Sequence, residues 1–131
     1  MIYFDAPYGT VSWDDATQCV HVEWKGFVHG EMIKTVLNKA LDLFRTKTTD
    51  RWLADMRKVR VFSEEDSRWV NETWFPAAVQ AGVRRMALPV PESVLAQLSL
   101  QRLMRKVNEG ELVTAYFGSV EEAKAWLVNG D

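Results

Sequence analysis

One cysteine, Cys19, and two histidines, His21 and His29, are all that the chain has of the side chains that build disulfides and zinc clusters. A single cysteine excludes an internal disulfide, and two histidines would leave a protein-held zinc dependent on carboxylates. No metal and no cofactor are expected. Net charge is nearly absent too. Lys and Arg total 16 against 18 Asp and Glu, a formal charge of -2, so no global field recruits nucleic acid or an anionic membrane. Long apolar runs are missing, with no window near the ~20 residues of a membrane span. The opening MIYFDAPYGT has an acid where a secretory leader needs a basic start, so a cytoplasmic protein without an integral membrane segment is expected. No linker, repeat or low-complexity stretch divides the 131 residues, and 47% apolar content suits one core. The expectation is a single domain over 1–131.

What is present is a regular succession of patterns. Thr10 to Asp14 and Gln18 to Lys25 alternate with period two around the turn-like Asp14-Asp15-Ala16-Thr17, which predicts an opening β-hairpin, with Ile2 to Phe4 as an additional edge strand. From Gly30 to about Lys47, Ile33, Val36, Leu37, Ala40, Leu41 and Phe44 recur at helical spacing. Trp52 to Met56 is short and mostly apolar, as a central strand would be. Ser63 then offers a hydroxyl cap, followed by three acids, to a helix running to about Ala81. Pro76 interrupts that helix and predicts a kink near Glu72 to Phe75. A strand follows over Val83 to Val90, then two helical segments with a break near Ser99, a strand over Leu112 to Phe117, and a helix opened by the capping box at Ser119. The order implies an α/β fold: a mixed sheet of about four to five strands opening with the hairpin, then alternating helices and strands.

Four stretches carry a family resemblance: Val22-Glu23-Trp24-Lys25-Gly26-Phe27, Trp52-Leu53-Ala54-Asp55-Met56-Arg57, Asp66 to Pro76, and Tyr116-Phe117 with Ala123-Lys124-Ala125-Trp126-Leu127. Together they resemble the bacterial SpoIIAA-like group, small STAS or SEC14-like domains, over nearly the whole chain. The resemblance implies the fold, since most of these are core and cap residues. In the wider STAS family, anti-sigma-factor antagonists switch partners by phosphorylation of a Ser in Asp-Ser-Ser-Gly at the start of the helix after the central strand. Here Ser63-Glu64-Glu65-Asp66 occupies that place and Glu65 stands at the phosphorylated position. The resemblance therefore implies a regulatory module without its phosphoswitch.

Ligands of α/β sheets gather beyond the carboxyl ends of the strands. That rim collects His29, Arg57, Lys58, Arg60 and Ser63, a set suited to an anionic group. Asp55, in an apolar strand, needs a partner, and Arg57 lies two positions along on the same face. Cys19 and His21 share a face without any reason for a lowered thiol pKa, and no nucleophile, base and oxyanion site assembles, so no enzyme is expected. Arg102, Arg105 and Lys106 mark a solvated helix face. Trp69, Trp74, Phe75 and Val79 on the broken helix could be core or an interaction face. Two readings follow. One is a non-catalytic regulatory or protein-interaction module, a homodimer or the partner of a regulatory protein. The other is a binding domain for a small apolar or lipid-like ligand, its acidic head near Arg57, Lys58 and Arg60.

Overall fold

Alternation of side chains settles the first three strands. In β2 (Gly9–Asp14) Val11 and Trp13 point to one face, and in β3 (Cys19–Trp24) Val20, Val22 and Trp24 do the same, all of them buried. The turn between them is held by Asp14 and Asp15, whose oxygens accept from Ala16 N–H at 3.2 Å and the Gln18 amide at 2.7 Å. A computed structural model describes residues 1–26, 28–59, 63–97 and 112–129.

Among these residues the sheet has six strands rather than four to five. Ile2–Ala6, expected as a minor edge strand, is a five-residue β1 antiparallel to β2. The rest are β4 (Arg51–Asp55), β5 (Arg85–Pro89) and β6 (Val113–Phe117), in the sequential order β1-β2-β3-β4-β5-β6, parallel from β3 onward. Pro89 is tolerated inside the sheet because it is the last residue of β5. The break near Ser99, the second helix to Asn108, Arg60 and the Arg102, Arg105 and Lys106 face lie outside the described residues.

One face of the sheet carries helix α1 (Glu31–Arg45) and a broken helix made of α2 (Glu64–Trp69), a π segment (Val70–Trp74) and α3 (Phe75–Ala81). Helix α1 buries Ile33, Val36, Leu37, Ala40, Leu41 and Phe44, the predicted stripe, together with Leu43. A helical stretch α4 is described over 92–97, and α5 (Val120–Asn129) closes the chain on the opposite face, packing Ala123 and Leu127 on Cys19, Leu53 and Ala87. Arg85 holds α5 down, donating to the Leu127 and Trp126 carbonyls at 2.8 and 2.6 Å. No helix among the described residues is long and apolar enough to cross a membrane.

The break at Pro76 takes a specific form. A proline here cannot donate to the carbonyl four residues back, and the chain widens by one residue just before it. Phe75 N–H reaches Val70 C=O, five residues back. The widening re-aims the following side chains, and of the predicted stripe Thr73 is exposed while Trp74 and Ala78 are buried. Helix α3 ends at Gly82, whose φ of 114° only glycine adopts without strain, with its N–H on Ala78 C=O at 3.2 Å. A Cβ there would meet Phe44 no closer than 3.8 Å, so the constraint is conformational and not one of space. Gly82→Ala is therefore expected to cost about 1–2 kcal/mol, read as a lower urea midpoint with an unchanged m-value.

Candidate functional site

The carboxyl-end rim is built by backbone ties as well as by its charges. Met56 N–H donates to Pro89 C=O at 2.8 Å and Gly26 N–H to Lys58 C=O at 2.9 Å, so the turn after β4 is pinned to both neighbouring strands. Asp55 is 3% exposed, and Arg57 folds back over it with Nε and Nη2 on the two carboxylate oxygens at 2.9 and 2.8 Å. The Arg57 N–H adds a third bond at 3.1 Å. Burial pushes the Asp55 carboxyl up, but these bonds and the guanidinium charge outweigh it and hold the group below its usual range. On the next strand Glu23 takes Lys58 at 3.6 Å.

The amino end of α1 is also filled from within. Gly30 has no side chain to cap the helix, and Asp66 of α2 accepts its N–H with both oxygens at 3.1 and 3.2 Å. Ser63 Oγ in turn accepts from Asp66 N–H at 3.0 Å, as its capping role predicts. An anion arriving between His29 and Ser63 would meet the Asp66 carboxylate where it needs amides. His29 is exposed beside this pair. The expected anion-binding set is thus dispersed: Arg57, Lys58 and Ser63 each serve an internal partner, and Arg60 is outside the described residues.

Cys19 and His21 share one face of β3. The Cys19 thiol is fully buried beneath α5 and is pushed up to about 12, chiefly by that burial. Burial also lowers the His21 pKa. Among the described residues no group of three or more His, Cys, Asp or Glu could hold a metal.

The broken helix is where space is left. Between it and β3, β4 and β5 lies an apolar cavity of about 180 Å³, lined among the described residues by Trp24, Leu37, Trp52, Ala54, Met56, Val70, Trp74, Phe75, Met86 and Leu88. Trp52, Ala54 and Met56 share one face of β4 and its extension, and the small middle residue leaves the floor open between two large ones. Trp74 meets Trp52 edge-on at 5.1 Å and Phe75 edge-on at 5.2 Å, forming an aromatic wall. Trp74 is therefore a core residue and not part of an interaction face; its indole N–H faces the Leu37 carbonyl at 3.4 Å. Trp69 is half-buried, with Lys34 Nζ 5.5 Å above its ring.

Phe75 and Val79 are half-buried as well and line an open outer groove with Pro76, Gln80, Arg84, Leu112 and Thr114. Phe75 is the one described residue common to groove and cavity. Sequence reasoning placed Trp74 and Phe75 on this helix but missed Ala54, Met56, Met86 and Leu88 opposite. The legible signal was an alanine flanked on its own strand face by Trp52 and Met56.

The rim geometry sets a pH dependence. Because the folded Asp55 pKa is depressed, its contribution is complete above the unfolded carboxyl value of ~3.9 and is lost as pH falls through the lower folded value. Asp55→Asn is expected to cost roughly 1–3 kcal/mol at neutral pH, a range kept low because Arg57 is partly exposed. That deficit should shrink below about pH 4 in urea titrations run across pH.

No family model and no curated protein matches the chain. Among solved structures it is similar to an uncharacterised protein of the DUF3478 family from Shewanella loihica PV-4, described as having a SpoIIAA-like fold. The TM-score is 0.61 at 11% identity, and the match covers 91% of each chain. Identity that low speaks for architecture alone. The six-stranded mixed sheet, the two-helix face and the match over nine-tenths of both chains together establish a SpoIIAA-like fold for this protein.

Proposed function

We propose that the chain is a cytoplasmic, non-catalytic binding module of STAS type that takes a small apolar molecule between β3–β5 and the broken helix. The observation that carries this reading is the apolar cavity of about 180 Å³ behind Phe75. Protein interiors are packed like organic crystals, so apolar space of this size against the core is room that a ligand can fill. It lies between the face of β3, β4 and β5 and the broken helix, a position where apolar pockets commonly form. A non-catalytic role is supported by the buried Cys19 and by Asp55, which is committed to Arg57. The acidic head group has less support, because Arg57 and Lys58 are already paired.

A protein-interaction reading draws on a separate observation, the open groove of Phe75, Pro76 and Val79 beside Leu112. In that reading a second copy or a regulatory protein covers the groove, and Glu65 leaves no phosphorylatable Ser at the family position.

Filling the cavity from its floor separates the two. Ala54→Leu is expected to fold with stability within about 1.5 kcal/mol of the parent, because the added carbons enter existing space. It should also abolish the thermal stabilisation that an apolar ligand gives the parent, ~2.7 kcal/mol at a hundredfold excess over Kd. A stable Ala54→Leu that responds to the ligand as the parent does would sink the cavity reading. For the interaction reading, sedimentation equilibrium of Val79→Asp is the measure. Dissociation of a parent dimer would support that reading, and a parent that is monomeric at all concentrations would dismiss self-association.

A further inference from the structure

If the cavity holds a ligand, as proposed above, its walls go further and select among ligands. Filled to the ~0.75 density of protein interiors, 180 Å³ accepts ~130 Å³ of molecular volume, the size of one or two small rings. Apolar cavities of about 150 Å³ accept benzene. The described wall carries no charged side chain. At the rim, Arg57 spends Nε and Nη2 on Asp55. A carboxylate or ammonium inside would be buried without a partner.

Shape points the same way. Trp52, Trp74 and Phe75 already form a chain of edge-to-face contacts, with interplanar angles of 68° and 70°. A planar ring extends that chain with the quadrupole complementarity that the three rings have among themselves. Met56 and Met86, on the strand side, supply polarisable sulfurs that favour ring edges and adapt to different outlines. We infer that the ligand class is a neutral aromatic compound of one or two rings, seated between the Trp52–Trp74–Phe75 wall and the two methionines.

The experiment is saturation-transfer NMR and calorimetry on the full chain with indole, toluene and decanoate, repeated with Ala54→Leu and Phe75→Leu. Indole and toluene are expected to bind the parent, decanoate at least about tenfold more weakly. Ala54→Leu should remove ring binding, and Phe75→Leu should weaken it by a factor of about two to ten while leaving the fold intact. If Ala54→Leu does not fold, Val70→Phe blocks the same space from the helix side. Decanoate binding as tightly as indole, and lost in Ala54→Leu, overturns the ligand class and leaves the cavity reading standing. Ring binding that survives both blocking variants places the site elsewhere and overturns both. If none of the three probes binds a folded parent, the aromatic class falls; the retained response to Ala54→Leu in stability then judges the cavity reading by itself.

Discussion

The contact on which the rest depends is Trp52 against its aromatic neighbours. It sits on the central strand, 1% exposed, and receives Phe44 from α1 at 5.8 Å and Trp74 from the π segment at 5.1 Å. Both helical layers of this face are therefore positioned by one ring. Burying a side chain of that size supplies much of the local driving force, and tilted and edge-on geometry adds direction to it. The cavity arises from the same arrangement. Large rings set the spacing between helix and sheet, and Ala54, next along the same strand face, does not fill the space they hold open.

A second constraint is electrostatic closure at the rim. Asp55 with Arg57, Glu23 with Lys58, and Asp66 with the open end of α1 place each local charge against an internal partner. Charges used this way stiffen loops and cancel the field that would draw a phosphate. Carboxylates occupy the start of α2, and one of them, Asp66, is a structural clamp between two helices.

Most of the fold was legible because its signals are local. Period-two alternation placed the hairpin, helical spacing placed α1, and the hydroxyl-plus-acid starts at Ser63 and Ser119 placed two helix entries, the second with its hydroxyl on Glu122 N–H at 3.2 Å. The Asp55–Arg57 pair was legible because both residues belong to one strand face and its extension. The full length of β1 was not, since Ile2, Tyr3 and Asp5 are exposed and Ile2–Ala6 has weak alternation. The clamp from Asp66 to Gly30 spans 36 positions, and no sequence pattern reports a contact of that range. Pro76 announced a disturbance of the helix but not its form. Whether a helix bends or widens at proline depends on what it packs against, and here that is Trp52. The cavity was the least legible feature, because space is set by several elements together and belongs to no single residue.

The strictly sequential strand order has a bearing on how the protein is made. Each strand pairs with the one synthesised just before it, so no place in the sheet must be kept open for a later arrival. The antiparallel β1-β2-β3 meander can form as soon as it leaves the ribosome, and it presents β3 as a template for β4. Growth then proceeds in one direction, strand by strand, with α1 before β4 and the broken helix before β5 on one face. Among the described elements the other face is packed by α5, laid down last. At every stage one open edge is β1 and the other is the most recently added strand, to which the next segment of nascent chain is the partner nearest to hand.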